Sequence, residues 1–277
     1  MQRRYWLAVT LLFLLSASAT AQQTADPHYP APVFDQTPPA LPKGLSHAVL
    51  IFSKTNGFRH VEHIPHSKTV LEDIAKAQGR ATFTTENAAI FNPAQLSRFS
   101  VVVLDSASGD LFTPSQRAAF VEYLKRGGGL VAIHAAGGDK GQPWTYYVDS
   151  VIGARFIGHP NGADQFQRAT INVTEPDDPL MAGIPGTWTW TDELYSFDRV
   201  PSGNDARILA TLDERSYRMP PELAMGAVHP IIWTRGLGSG RIFFSALGHK
   251  PEAYDDPVYR RLLTNAIRWA GKMPVAK

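Results

Sequence analysis

Short apolar runs punctuate the first half of the chain, and amphipathic or polar stretches separate them. Ala48-Val-Leu-Ile-Phe52 and Val101-Val-Val-Leu104 are continuously apolar, the mark of strands buried on both faces of a parallel sheet. Residues 81–85 and 130–133 add two more strands. Between them Val70, Leu71, Ile74 and Ala75 recur at helical spacing over residues 65–78, with Gly79 as the stop. Asn92-Pro93 opens a short helix. Thr113-Pro114-Ser115-Gln116 opens a longer one, with Thr as N-cap, Pro at the first helical position and Gln placed to close a capping box. Phe120, Val121 and Leu124 form its buried stripe, and Gly127 ends it. Strand–helix alternation of this kind implies parallel strands with right-handed crossovers. The predicted fold class is α/β: a doubly wound, mostly parallel sheet with helices on both faces.

The second half is less regular. Residues 144–152 predict a helix ending at Gly153, and residues 167–173 alternate as a strand does. Residues 176–205, with Pro and Gly throughout, predict long connections around Trp188 and Glu193. Residues 208–212 form a further strand, and residues 229–234 and 241–245 a C-terminal β-hairpin around Gly236-Leu-Gly238-Ser-Gly240. That glycine triplet links two strands instead of opening a helix, which argues against a dinucleotide loop. A last helix over residues 257–270 buries Leu262, Leu263, Ile267 and Trp269.

The amino terminus follows a different rule. Arg3 and Arg4 precede an apolar run from Tyr5 to Leu15 and a small-residue Ala19-Thr-Ala21 site, which predicts a signal peptide over residues 1–21 cleaved after Ala21. The run is shorter than the roughly 20 residues a membrane span needs. The expected location is therefore periplasmic or secreted, with no membrane association after cleavage. Residues 22–46 carry Pro27, Pro30, Pro32, Pro38, Pro39 and Pro42, the composition of an extended tether or of a strap over the domain. A single domain is expected over residues 47–271. The chain has 27 basic and 25 acidic residues, and Arg3 and Arg4 lie in the leader, so the remainder is balanced. Nothing in that balance points to a nucleic-acid partner. The absence of cysteine excludes disulfides, thiolate ligands and a thiol nucleophile.

The polar residues with chemical potential sit at or beyond strand ends. His134 stops the fourth strand and is followed by small residues, the pattern of a strand-to-helix elbow that displays one side chain at the carboxyl edge of a sheet. Ligands bind at that edge in open α/β sheets. His60 follows the first strand, His249 follows a late one, and His159, Glu193 and His229 lie in loops or just before a strand. His134, Glu193 and His249 are the candidate catalytic residues, because imidazole titrates near neutrality and a carboxylate can share its protons. His60, His159 and His229, with Trp144, Trp188 and Tyr195, are candidate substrate-binding residues. The aromatic residues among them suit stacking on the apolar face of a sugar ring, although aromatics under long loops more often extend the core. His63 and His66 are read as surface residues, since positions 60, 63 and 66 drift around a helix and Pro65 interrupts its start. Imidazoles with Glu193 permit, without requiring, a divalent metal such as zinc.

Six motifs in order resemble the ThuA-like family, named for trehalose utilisation. They are Lys54-Thr-x-Gly57-Phe58-Arg59-His60, Gly128-Gly-x-Val131-x-x-His134-Ala-Ala136, Gly153-x-x-Phe156-x-x-His159-Pro160, Thr191-Asp-Glu193-x-Tyr195, His229-Pro230-x-x-Trp233 and Leu247-Gly248-His249. The chain departs from the commoner His-Asp-Ser-Ile-Pro form at residues 61–63. The resemblance implies a class I glutamine amidotransferase-like, flavodoxin-like fold. It also implies that His134 occupies the seat of the amidotransferase cysteine, with Gly248-His249-Lys-Pro-Glu252 in the place of that family's His-Pro-Glu motif. Without a thiol, glutamine hydrolysis through a thioester is excluded.

The resemblance further implies carbohydrate catabolism, and the leading expectation is an exported enzyme that acts on a glycoside or keto-sugar by histidine/glutamate acid–base chemistry. Two alternatives are a non-catalytic sugar-binding protein and a zinc hydrolase using His134, His229 and His249. The expected partner in each case is a small-molecule sugar.

Overall fold

The computed structural model describes residues 26–273; the leader assigned to residues 1–21 lies outside them. Among the described residues, eleven strands and four α-helices follow in chain order. They are β1 (Ala48–Phe52), α1 (Ile64–Ala77), β2 (Thr82–Thr85), α2 (Pro93–Leu96), β3 (Phe99–Asp105), α3 (Pro114–Lys125), β4 (Gly129–Ile133), β5 (Phe156–Gly158), β6 (Gln167–Val173), β7 (Thr187–Asp192), β8 (Ser196–Phe197), β9 (Arg207–Leu212), β10 (Pro230–Leu237), β11 (Gly240–Ser245) and α4 (Pro257–Ala270).

Nine strands form one sheet in the order β2-β1-β3-β4-β11-β10-β9-β6-β7. Strands β2, β1, β3, β4 and β11 pair in parallel, while β11, β10, β9, β6 and β7 pair antiparallel. The sheet is therefore mixed, parallel in one half and antiparallel in the other, where the sequence pattern predicted a mostly parallel one. The halves differ in their connections. The parallel strands β1–β4 alternate with helices, whereas β10 and β11 are joined by a tight turn that can only return the chain antiparallel.

Continuous apolar sequence becomes continuous burial: every residue of β1 and β4 is buried, as is β3 apart from Ser100. The capping box at the start of α3 forms, with Thr113 Oγ1 accepting from Gln116 N and Gln116 Oε1 accepting from Thr113 N at 2.9 Å. Helices α1 and α4 pack against each other, as do α2 and α3.

Two elements differ from the sequence pattern in ways that matter for the site. The expected helix over residues 144–152 is a π-helical turn, Tyr147–Ile152, closed by Gly153 at φ 100°. As the last residue of the turn, Ile152 has a carbonyl without a helical partner, and it accepts from Trp233 Nε1 at 2.8 Å. The expected connection over residues 176–205 contains β7 and β8. Strand β7 reads Thr-Trp-Thr-Trp-Thr-Asp, a period-two alternation that the surrounding Pro and Gly obscure, and it pairs with β6 at the sheet edge. Strand β8 pairs with β5 in a separate two-stranded ribbon.

Residues 26–46 lie along the domain as a strap. The Asp35 carboxylate pairs with Lys54 at 2.8 Å and accepts from Ala88 N at 2.8 Å. Asn56 bonds both backbone groups of Val33, at 3.0 and 3.1 Å, and Gln95 Nε2 donates to Pro39 O at 2.6 Å. Leu45 is buried at the strap's end. Among the described residues no helix is long and apolar enough to cross a membrane.

Candidate active site

The parallel strands β1, β4 and β11 run the same way, so the residues that follow them emerge at one edge of the sheet. That edge carries His60 after β1, His134 after β4 and His249 after β11. The segment Glu193-Leu194-Tyr195, between β7 and β8, comes to the same place, and the β5–β8 ribbon brings His159 beside it. Two residues at the edge adopt left-handed backbone, Ser106 at φ 48° and His134 at φ 52°. Non-glycine residues take such angles at a cost and hold them only where the surroundings enforce it. Gly248 lies at φ 113°, and a Cβ there would sit 2.9 Å from the Tyr254 and Tyr259 hydroxyls. The loop delivering His249 therefore requires glycine.

Four side chains converge. One donor atom from each of His60, His134, Glu193 and His249 lies within 4.8 Å of the others. His134 Nε2 is 3.1 Å from His60 Nε2, 3.2 Å from His249 Nδ1 and 3.5 Å from Glu193 Oε2. His249 Nδ1 is 2.8 Å from Glu193 Oε2. His134 Nδ1 donates to the Ala246 carbonyl at 2.8 Å, so in the neutral ring Nε2 carries the lone pair that faces the cluster. The Tyr195 hydroxyl lies 2.8 Å from that same Nε2. One lone pair cannot serve four neighbours, so the arrangement needs a positive charge at its centre.

Glu193 supplies the negative charge. Burial works to raise its pKa, but hydrogen bonds from His134 and His249 outweigh that and hold it well below the usual carboxylate range. For His134, burial opposes the charged form, and the Glu193 hydrogen bond and charge more than reverse it, raising the pKa. His60 and His63 stay neutral: burial pushes both down, His63 to about 3, and the neighbouring His134 adds to the effect. The positive charge is thus either a proton on His134 or a cation shared by the four residues. Metal–ligand bonds of about 2.0–2.2 Å place neighbouring atoms of a tetrahedral site about 3.3 Å apart. Four of the six separations are 2.8, 3.1, 3.2 and 3.5 Å and all six lie within 4.8 Å, so a first-row divalent ion would fit after small shifts of the side chains.

Supporting contacts lock the cluster. Asp192 is buried and accepts from Gly248 N at 2.8 Å, His249 N at 3.2 Å and Trp190 Nε1 at 2.8 Å, tying the end of β7 to the loop after β11. Gln165 Nε2 donates to Glu193 Oε1 at 2.6 Å. His63 Nδ1 donates to the His249 carbonyl at 2.5 Å, leaving its Nε2 to accept from Ser106 Oγ at 2.9 Å. Behind them Asp105 accepts from Ser67 Oγ at 2.6 Å. Above the cluster opens a cavity of about 320 Å3, walled in part by Phe58, Phe156, His159 and Tyr195. A larger cavity of about 440 Å3, beside Phe99, Tyr123 and Lys272, gathers no comparable donor set among the described residues.

The structure brings together His60, His134, His159, Glu193, Tyr195 and His249. It does not bring in Trp144, Trp188 or His229. Trp144 packs into the core against Phe112 and Tyr147. Trp188 lies on edge strand β7 opposite Ile171, packed on the core. His229 is buried, with Nδ1 2.8 Å from Glu214 Oε1 and Nε2 donating to the Tyr195 carbonyl at 2.8 Å, so it holds Tyr195 from behind. A metal site built on His229 is excluded by that placement. His63, read as a surface residue, is fully buried, because the turn before α1 rotates it inward beneath His60. His66 stays at the surface against Asp255. Sequence reasoning missed Asp192, Gln165 and His63. Only Asp192 left a trace, as a second acid beside Glu193.

Histidines and one glutamate gathered at the carboxyl edge of a mixed α/β sheet sit where open α/β folds of the amidotransferase-like type carry their sites. Residues 48–270 match the family model described as "ThuA: Trehalose utilisation", and the chain belongs to that family. No curated protein is a significant match. Among solved structures, a ThuA-like protein from Bacteroides uniformis has a TM-score of 0.69 and 22% identity over 84% of this chain and 95% of its own. A ThuA-like protein from Parabacteroides merdae has a TM-score of 0.64 and 21% identity over 84% and 92%. A β-galactosidase from Rahnella sp. R3 has a TM-score of 0.52 and 15% identity over 83% of this chain and 32% of its own. At these identities the likeness concerns the fold.

Proposed function

We propose that the chain is a carbohydrate-processing enzyme acting on a glycoside or keto-sugar at a centre in which His60, His134, His249 and Glu193 hold a divalent first-row cation. The convergence of four donor atoms within 4.8 Å carries this reading. The family's link to trehalose utilisation supports the substrate class. The leader-like residues 3–21 support export, so the sugar would be met in the periplasm or outside the cell.

A bound cation supplies Lewis-acid polarisation of a sugar carbonyl or hydroxyl oxygen. The chain's own residues do the rest. His159 Nδ1 donates to the Pro160 carbonyl at 2.7 Å, which leaves Nε2 facing the cavity wall, 3.5 Å from Glu193 Oε1. From there it takes a proton from, or returns one to, the substrate. Tyr195 positions His134 by stacking on its ring at 4.4 Å, Gln165 orients Glu193, and Phe58 and Phe156 narrow the space available to water.

A second reading uses the same residues without metal: protonated His134 with ionised Glu193 and His249 as an acid–base group, favoured by the raised pKa of His134. Metal analysis of untagged protein separates the two. About one divalent ion per chain is expected, and less than about 0.1 refutes the metal centre. Incubation with trehalose and with its keto derivative tests the activity. Conversion by wild type, abolished in His134→Ala and Glu193→Gln, is expected. Recovery of both sugars unchanged, with binding of either retained, makes the protein a binder, and conversion that survives complete chelation returns the acid–base reading.

A further inference from the structure

The family match begins at residue 48, yet the strap that precedes it reaches the mouth of the cavity. Tyr29 belongs to that strap and lines the cavity together with Phe58 and His60. Tyr29 is 65% exposed and Phe58 is 38% exposed, the only two exposed large apolar residues on the cavity wall among the described residues. Their rings meet edge to face at 5.5 Å, and Phe58 in turn meets His60 edge to face at 4.8 Å. The three rings make a ladder from the buried centre outward, each step comparable to the length of one pyranose unit.

The platform is built, not incidental. Arg59 N donates to the His28 carbonyl at 2.8 Å, so the strap is pinned beside Phe58 by backbone. The His28 ring stacks on Phe58 at 5.3 Å, and its Nε2 lies 3.1 Å from Glu62 Oε1. Four residues on, Val33 is held at both backbone groups by Asn56. An exposed tyrosine on a fixed backbone presents an apolar face and a hydroxyl with little entropy to lose on binding.

We propose that Tyr29 and Phe58 form an outer subsite that stacks the second ring of a disaccharide or the aglycone of a glycoside, while the first ring occupies the cavity over His60, His134 and Glu193. The strap thereby makes the site selective for disaccharides and glycosides with a ring-sized aglycone over monosaccharides and methyl glycosides. This rests on the sugar-processing reading of the centre and adds a specificity element that lies outside the family domain.

Calorimetric titration of the full chain with trehalose, methyl glucoside and the keto derivative of each tests it, comparing wild type, Tyr29→Ala and Tyr29→Phe. Tyr29→Ala should weaken the two disaccharides about tenfold and leave the two methyl glycosides within about twofold, because only the outer ring loses its stacking partner. Tyr29→Phe should restore the disaccharides. Equal loss for both sizes, or no loss for either, overturns the outer subsite while leaving the sugar site standing. Failure of wild type to bind any of the four overturns both. Tyr29 is mostly exposed, so its truncation does not threaten folding, and thermal unfolding of each variant checks this.

Discussion

Asp105 ends β3 inside the protein, completely buried, and among the described residues only the Ser67 and Tyr254 hydroxyls bond its carboxylate. Burial pushes its carboxyl up to about 6 from an ordinary 3.8, against the hydrogen bond from Ser67, which works the other way. The folded chain thus binds a proton more tightly than the unfolded chain does, so stability falls as pH rises between the two values. The gap between 3.8 and about 6 corresponds to about 3 kcal/mol, absent below the lower value and fully expressed above the higher. Asp105→Asn keeps the shape and an acceptor for Ser67 but cannot ionise. Relative to wild type, Asp105→Asn should therefore gain about 2.5 kcal/mol on going from about pH 4 to about pH 7.5. Urea denaturation of both proteins across that range, on chelator-treated samples so that no nearby cation intrudes, measures the difference, and contributions from other groups cancel. A difference that stays flat with pH would show that Asp105 titrates normally and that the floor of the site is wetter than its burial implies.

Three further outcomes follow from the geometry. His229→Leu leaves the Tyr195 carbonyl without its donor and should cost about 2–3 kcal/mol in denaturant, while metal content stays at the wild-type level because His229 lies behind the centre. Gly138→Ala places a Cβ 2.1 Å from Tyr195 Cε2, in a ring packed between His134 and Phe156. It should cost about 1–3 kcal/mol and lower kcat by moving the hydroxyl off His134; unchanged kcat would remove Tyr195 from the catalytic apparatus. Trp144→Ala empties a core position against Phe112 and Tyr147 and should cost about 3–5 kcal/mol with KM unchanged, the opposite of what a sugar-stacking tryptophan would give.

The local pattern of this chain determines a good deal. Continuous apolar runs specify β1, β3 and β4, the Thr113–Gln116 box specifies the start of α3, and the elbow pattern places His134 at a strand end. These features depend on neighbours a few residues apart, and such information is written locally. Convergence is not. His60 and His249 are 189 positions apart and touch His134 only because β1, β3, β4 and β11 share one direction and one edge. Glu193 joins them from the antiparallel half of the sheet, through a strand whose alternation was hidden among prolines and glycines. The sequence could nominate histidines by type and position. Tertiary structure alone decided that His63 turns inward, that His229 serves Tyr195 from behind, that Trp144 and Trp188 belong to packing, and that a strap outside the family domain sets Tyr29 at the mouth of the site. The physical reason is the same in each case: a side chain's role is set by which distant backbone passes within hydrogen-bonding reach of it, and that follows from strand order and direction, which no local periodicity encodes.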